Sequence, residues 1–385
     1  MSFTIKKPTM KLPIYWIYIL FLLPPFLLNR SDLSIICDLW HLAQLVIVCV
    51  MSLYYFVNYR ARNTIVNAVL CYYIVAIISS YLNGYSINTI KWDIASDLGI
   101  VLVIYLLFNK NKEKALYYLS KILWLYLLIN TLVMLIWPNG IASGRIGQIV
   151  WFLGGKNNIV PWILIGGGCI ILDSYERNKK MTFITYLKLA ICSVQAFLCD
   201  SSTAVVVMII LWGIYLINII VNNQKLLNFF MGGKRLFLLV AIGFVFCRFF
   251  FTTRSNVLQE FSEWFGKDIT FNGRTGIWIV ALNYIKDNPW FGAGPVLVFD
   301  MGWSVYMTHA HCLYLNICAH NGIIGLSCLI YILWNVLKNA KKIPLVAIFS
   351  LFLYLIGSIV EVYSLNTLLL FSMVLNCLEQ KNSRT

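Results

Sequence analysis

Runs of about 20 apolar residues recur along the whole chain, and they limit the fold more than any other feature. An α-helix of that length spans the ~30 Å hydrocarbon core of a bilayer. Apolar residues make up 60% of the sequence and charged residues 12%, whereas a soluble domain has roughly 25% charged residues. A membrane β-barrel would show short alternating segments instead. The sequence therefore predicts an all-α polytopic membrane protein.

The apolar runs predict about twelve transmembrane helices within one integral membrane domain, residues 1–385. They lie at about 13–28, 35–57, 64–82, 93–108, 115–137, 159–172, 183–199, 203–221, 236–251, 312–337, 344–360 and 364–378. The sixth run is short, and its glycines, Gly166–Gly168, favour close approach of neighbouring helices. No small-residue cleavage site follows the first run, so we interpret it as an uncleaved span.

Basic residues indicate how the spans are oriented. The net charge is +15, and most Lys and Arg residues cluster in alternate short loops, as cytoplasmic loops require. This pattern predicts that both termini are cytoplasmic. It also places a long loop, residues 252–310, on the outer side. Because topology explains most of the positive charge, we do not interpret it as a nucleic-acid surface.

The cysteines predict neither disulfides nor a metal site. Most of the eleven lie inside apolar runs, and no CxxC pair is present. Cysteine in such runs behaves as a small hydrophobic residue.

The stretch 272–326 contains three of the four histidines and the longest interval without an evident span. It predicts a helix at about 273–287, which begins after Asn272 and ends at Asn288-Pro289. Apolar residues repeat there with helical spacing at Ile277, Val280, Ala281, Tyr284 and Ile285. Such a helix would lie in the membrane interface rather than across it.

Arg274, His309 and His311 are the strongest candidates for chemistry in this stretch. Arg274 falls in the first turn of the predicted helix, where free backbone N–H groups favour a phosphate. A neutral imidazole suits a general base acting on a hydroxyl. Because His309 and His311 are two residues apart, they should point to opposite faces unless the segment bends. The alternative is that these residues simply contact the lipid interface.

Other outer residues could extend a binding site. Arg is suited to a diphosphate because its donors are bidentate. The candidates with Arg274 are Arg145, Lys156, Asn157, Asn158 and Arg248. Candidate acidic partners for the basic residues are Asp93, Asp97 and Glu361. A zinc site at His309, His311 and His320 is disfavoured because no further Cys or carboxylate ligand and no HExxH motif accompanies them.

Three motifs in this order resemble a known family. They are Gly273–Trp278 (GRTGIW), Asn288–Gly294 (NPWFGAG), and His311 followed eleven residues later by Gly322–Gly325 (GIIG). This arrangement resembles the O-antigen ligase/polymerase superfamily. Cys312 stands where that family has asparagine after the histidine.

The resemblance implies a metal-independent glycosyltransferase of the C type of fold, with no cofactor. It would use an undecaprenyl-diphosphate-linked glycan as donor and acceptor on the periplasmic face of the bacterial inner (plasma) membrane. By resemblance, His311 is the base on the acceptor hydroxyl and Arg274 holds the donor diphosphate. The substrate-binding set is Arg145, Lys156, Asn157, Asn158, Arg248, His309 and Trp278. Membrane lipids and a polysaccharide chain-length regulator are the further partners.

Three functions remain open at this stage. The ligases carry an Arg where this chain has Ser202, and the segment Gly155–Asn158 is similar to polymerases of the Wzy type. We therefore expect an O-antigen or capsule polymerase, with an O-antigen ligase acting on lipid A-core as the alternative. A flippase for lipid-linked oligosaccharides is a third reading. It would show repeat symmetry and broken helices at matching positions, which the sequence does not indicate.

Overall fold

The protein is described by a computed structural model that covers residues 13–26, 34–59, 63–143, 149–221, 233–252, 274–300, 306–340 and 343–379. Its helices are α1 (Pro13–Leu22), α2 (Ser34–Tyr59), α3 (Thr64–Leu82), α4 (Lys91–Lys110), α5 (Lys112–Ile136), α6 (Lys156–Asn178), α7 (Phe183–Leu198), α8 (Ser202–Val221), α9 (Gly233–Thr252), α10 (Arg274–Asp287), α11 (Leu313–Asn339), α12 (Leu345–Gly357) and α13 (Leu365–Glu379). A 3₁₀ turn, η1 (Ile87–Thr89), precedes α4.

Each apolar run of the sequence overlaps one of these helices, and α10 is the additional helix predicted in the long loop. Among the described residues, seven helices are long and apolar enough to cross a membrane, namely α2 to α6, α8 and α11. Three shorter apolar helices are α7, α12 and α13. The chain is therefore a multi-pass, all-α membrane protein, and a total of about twelve spans stays a prediction.

Short strands supplement the helices in two loops. β1 (Ala142–Ser143), β2 (Ile149–Trp151) and β3 (Gly154–Gly155) form a small antiparallel sheet in that order. It leads directly into α6. β4 (Phe299–Asp300) pairs antiparallel with β5 (Tyr306–Met307), with Phe299 opposite Met307. This hairpin precedes the histidines. The all-α prediction therefore omits two small β-sheets, which precede the N-terminal ends of α6 and α11.

Helix α6 is central and is packed by its glycines. A β-carbon on Gly168 would lie 2.4 Å from the ring of Phe371 on α13, and one on Gly166 would lie 2.6 Å from Leu127 on α5. The prediction of close helix approach is confirmed. The prediction that this span is short is wrong, because polar residues at both ends continue the helix from Lys156 to Asn178.

Helix α11 is broken at Gly322, where φ is 66° and ψ is −172°. A break inside a buried helix leaves backbone N–H and C=O groups without their usual partners. Here the carbonyls of Ala319 and His320 accept hydrogen bonds from the N–H groups of Ala293 and Gly294, at 2.8 and 3.2 Å. The sequence did not predict this break.

The other side of the break is satisfied by the same turn. The N–H groups of Ile323 and Ile324 donate to the carbonyls of Pro289 and Trp290, at 2.8 and 3.3 Å. Residues 288–294 thus replace the helical hydrogen bonds that α11 lacks on both sides of Gly322. This explains why the NPWFGAG and GIIG motifs occur together.

The turn also fixes α10, which ends immediately before it. Ile277 and Ala281 on α10 are buried, and α10 packs against α11. The predicted helix at about 273–287 is present at Arg274–Asp287. Its interfacial position stays a prediction, and Asn272 lies outside the described residues.

We expect Gly322→Ala to lower the apparent Tm of the detergent-purified protein by several degrees. The added β-carbon would lie 2.1 Å from the carbonyl oxygen of Trp290, at a φ that alanine rarely adopts. The control is Gly213→Ala in α8, where a β-carbon meets nothing within 4 Å. Equal melting of the two variants would show that the close contact between turn and helix is not needed.

Candidate active site

Glu361 is the centre of a cluster of polar side chains. It lies in the loop between α12 and α13 and is 4% exposed. Its Oε1 accepts hydrogen bonds from the guanidinium of Arg274 and from the Asn157 amide, the latter at 3.1 Å. Its Oε2 lies 3.5 Å from Nδ1 of His311, an ion-pair distance. One carboxylate therefore joins three distant parts of the sequence.

The cluster assembles at the N-terminal ends of two helices. Arg274 is the first residue of α10, and Asn157 is the second residue of α6. Gly155, the N-cap of α6, offers no side-chain cap to the free N–H groups. Helix N-termini with such free groups favour anions. All the segments that meet here were predicted on the same side of the membrane.

The segment that carries His309 and His311 bends sharply. His311 has a φ of 48°, in the left-handed region, and its backbone N–H donates to Nδ1 of His309 at 3.4 Å. The two ring centroids are 4.2 Å apart. The segment thus shows the bend that was the stated exception to opposite faces, and the positive φ of His311 brings the two rings together.

Three hydrogen bonds hold this segment in place. Nε1 of Trp278 donates to the carbonyl of Ala310 at 2.8 Å, and the Ala310 N–H donates to Oδ1 of Asn316 at 3.0 Å. The N–H of Leu313 donates to the carbonyl of Ser358 at 2.9 Å. Trp278 is 3% exposed, so it supports the histidine segment, and its contact with substrate stays a prediction.

The environment shifts two titratable groups of the cluster. Burial lowers the pKa of His309 to about 4, with further lowering by His311 and Arg274 and opposition from Glu361. Burial would raise the pKa of Glu361, but the nearby His311 and the positive charge of Arg274 outweigh it and lower the pKa. Glu361 is therefore ionised and His309 neutral near pH 7.

This arrangement can perform general-base chemistry at His311. A carboxylate beside Nδ1 favours the tautomer that carries the proton there, which leaves the Nε2 lone pair as the base. The side chain of His311 is 23% exposed, so a substrate hydroxyl can approach it. The neighbouring guanidinium of Arg274 is 16% exposed and supplies further donors to an anion.

The remaining predicted residues are distributed as follows. Lys156 is exposed at the first position of α6, beside Asn157. Asn158 is exposed and lines a neighbouring cavity. Arg145 lies outside the described residues, as does the side chain of Arg248 near the end of α9. The roles predicted for all of these residues stay predictions.

The acidic candidates behave differently from one another. Glu361 pairs with Arg274 as considered from the sequence. Asp97 instead accepts hydrogen bonds from Tyr73 and Ser96 within the helix core. His320 is also separate, with Nδ1 2.8 Å from the carbonyl of Gly294. In the part of the chain that the structure describes, no group of three or more His, Cys, Asp or Glu residues could hold a metal ion.

A cavity of about 590 Å³ adjoins the cluster. Thr308 and Leu313, on either side of His309 and His311, line it. Residues next to Glu361 and Asn157 also line it, namely Val362 and Asn158. The cluster therefore borders a space large enough for part of a glycan, because ligand pockets range from about 300 to 1,000 Å³. The sequence analysis did not predict this cavity.

Residues 187–330 match the family model described as O-antigen ligase. The match includes Arg274, the histidine segment and the turn that clamps α11. This match supports a similarity of the segment to the O-antigen ligase/polymerase superfamily. Its members are glycosyl-transferring enzymes, and they include both ligases and polymerases. No curated protein matches the chain.

The segment that matches the family model contains only part of the cluster. Glu361 and Asn157 lie outside residues 187–330. Glu361 nevertheless contacts Arg274 and His311, which belong to that segment. Asn157 contacts the carboxylate of Glu361. The sequence signal for Glu361 was an acidic residue at the predicted outer end of a span. Its bridging role needed the fold, because 87 residues separate it from Arg274.

We expect Glu361→Gln and Arg274→Gln to be non-additive. Each single change leaves a largely buried partner without its counter-charge, which costs about 3 kcal/mol for a buried pair. The double variant removes both charges, so its loss of apparent Tm should be clearly smaller than the sum of the two single losses. Strict additivity would mean that the pair makes no energetic contribution.

We expect a fall in pH to destabilise the wild-type protein more than it destabilises the His309→Gln variant. The folded state disfavours protonation of His309, whereas the unfolded chain takes up that proton near pH 6.5. Stability is therefore lost as the pH falls from about 6.5 towards 4. Glu361 acts in the same direction only below its ordinary value of 4.5. The measurement is the fall in apparent Tm between pH 7 and pH 5, and equal falls would contradict the assignment.

Proposed function

We propose that this glycosyl-transferring enzyme polymerises undecaprenyl-diphosphate-linked oligosaccharide repeat units into O-antigen or capsular polysaccharide. The observation that carries the proposal is the cluster in which Glu361 joins Arg274, Asn157 and His311. It combines a general base with a cationic anion-binding group beside a cavity. Ser202 in place of the ligase arginine and the Gly155–Asn158 segment favour polymerase.

The proposed reaction is a single displacement. An acceptor hydroxyl oxygen attacks the anomeric carbon of the donor sugar, and its proton passes to Nε2 of His311. The bond between the anomeric carbon and the diphosphate oxygen breaks, and undecaprenyl diphosphate leaves with the electron pair. Arg274, Lys156 and the free N–H groups of α6 stabilise the charge on that leaving group.

Glu361 has two roles in this scheme. It orients His311 and stabilises the imidazolium that forms, as a carboxylate does behind a catalytic histidine. It also fixes Arg274 in a position that the diphosphate can reach. Because its pKa is lowered, it stays ionised throughout the reaction.

The proposed setting is the periplasmic face of the bacterial inner membrane, with both termini in the cytoplasm. The multi-pass architecture and the alternating basic loops support it. The proposed enzyme has a glycosyltransferase fold of the C type, and a polysaccharide chain-length regulator is its proposed partner. No metal enters the scheme, because the base and the anion-binding groups are side chains of this chain.

An O-antigen ligase is the second candidate, and the description of the matching family model favours it. The same base and cation would then act, but the acceptor hydroxyl would belong to lipid A-core. The two enzymes differ in what accumulates when activity is lost. A strain without the polymerase carries single repeats on the core, whereas a strain without the ligase keeps polymer on the undecaprenyl carrier.

We expect His311→Ala to abolish the lipopolysaccharide ladder in a deletion strain complemented with the variant. Loss of a general base lowers the rate by about 10²–10⁴-fold, which leaves a core-plus-one-repeat band on the gel. The matched control is His41→Ala in α2, where His41 stacks on Trp92 outside the cluster. Membrane levels of both variants are compared by immunoblot.

Other gel patterns point elsewhere. Polymer retained on the carrier, with bare core, would make the protein the ligase and keep His311 as its base. A normal ladder from His311→Ala would contradict both enzymes and favour the flippase.

A further inference from the structure

The cavity beside the cluster has a chemical character of its own. Its lining contains carboxylates, amides, hydroxyls and aromatic rings, while Arg274, Lys156 and His311 do not line it. The cationic groups thus lie at its border and the acidic groups inside it. An anion and an uncharged polyol would therefore prefer different parts of this site.

The acidic wall comes from one face of α4. Asp93 and Asp97 are four residues apart, so they share that face, and both line the cavity. Asp97 is 6% exposed, and its two oxygens accept from the Tyr73 and Ser96 hydroxyls. Asp93 is exposed to the cavity and makes no ion pair within the described residues.

Other lining residues offer a stacking surface and an amide. Asn158 and Trp162, also four residues apart, present one face of α6 to the cavity. His320 and Asn321 at the break of α11 line it as well. In membrane proteins irregular backbone is tolerated where it lines a cavity. The break therefore falls where a ligand space requires polar groups.

A further polar group at this cavity lacks a partner. The hydroxyl of Tyr363 is buried without a hydrogen bond, on a side chain that is 2% exposed, and Tyr363 lines the cavity. Buried polar groups are normally satisfied, so this hydroxyl indicates that something polar completes the site.

We propose that this cavity is a glycan subsite that binds one neutral or amino-bearing sugar ring. Asp93 accepts hydrogen bonds from the ring hydroxyls, Trp162 stacks on the ring face, and Tyr363 donates to a ring oxygen. The proposal rests on the proposed glycan transfer, because the cavity borders His311 and places a sugar next to the base. The carboxylates disfavour a sugar that carries a carboxylate of its own.

The test measures binding separately from transfer. The probe is the oligosaccharide released by mild acid from the host's lipid-linked repeat unit, which carries no diphosphate. Its binding to the purified protein in nanodiscs is followed by saturation-transfer-difference NMR. The variants are Asp93→Asn and Trp162→Ala, and the matched control is Asp38→Asn, an exposed carboxylate on α2 that does not line the cavity.

We expect Kd to rise about tenfold in Asp93→Asn and in Trp162→Ala. Asp38→Asn should bind as wild type does, because Asp38 does not line the cavity. Oxidation of the probe's primary hydroxyls to carboxylates should weaken its binding to wild type. Unchanged binding in both cavity variants, or no binding to wild type, would overturn the subsite. Equal binding of the oxidised probe would overturn its preference for uncharged or amino sugars.

The outcome is distinguishable from that of the proposed function. Weakened binding in Asp93→Asn together with a normal ladder from His311→Ala would keep the subsite and overturn the glycan transfer. Unchanged binding together with a lost ladder would do the reverse. A structural role for Asp93 alone would lower protein yield or Tm without changing the Kd of the folded fraction.

Discussion

The exchange of backbone hydrogen bonds between the 288–294 turn and the broken helix α11 is the constraint on which the rest of the site depends. Four main-chain bonds on the two sides of Gly322 attach the turn to α11. Since α10 ends at this turn, its first residue, Arg274, is fixed relative to the histidines that precede α11. Glu361 therefore contacts two groups whose relative position is already fixed, the guanidinium of Arg274 and the imidazole of His311. Without that attachment, the guanidinium and the imidazole would belong to independently moving elements.

Much of the architecture could be predicted from the sequence because it depends on local patterns. Apolar runs gave the helices, and helical spacing gave α10. The motifs also predicted that Arg274 and His311 belong to the same active site. What failed depended on contacts or torsions that spacing does not encode. The bend between His309 and His311 depends on the left-handed φ of His311, and the role of Glu361 depends on a contact across 87 residues.

The site divides its charges between two neighbouring regions. The cationic region sits at two helix N-termini, where backbone dipoles add to the side-chain charge. The acidic region lies inside the helix bundle, where the partners of Asp97 are hydroxyl and amide groups rather than cations. A lipid-linked glycan has the same division, with an anionic diphosphate next to uncharged rings. Under the proposed function, this matching order of charges would orient such a molecule without requiring a tight fit along its whole length.

The glycines of α6 determine how closely this helix packs against its neighbours, and therefore where its N-terminal end lies. Gly168 contacts Phe371 on α13, and Asn157 lies eleven residues earlier, about 16 Å away along the helix axis. A side chain in place of Gly168 would push α6 away from α13. Because the helix is rigid, its N-terminal end, which carries Asn157, would shift as well. Inactivating substitutions are therefore expected deep in the bundle, where no ligand passes. Mapping activity by mutation alone would mark these positions as part of the site, although their effect is on its alignment.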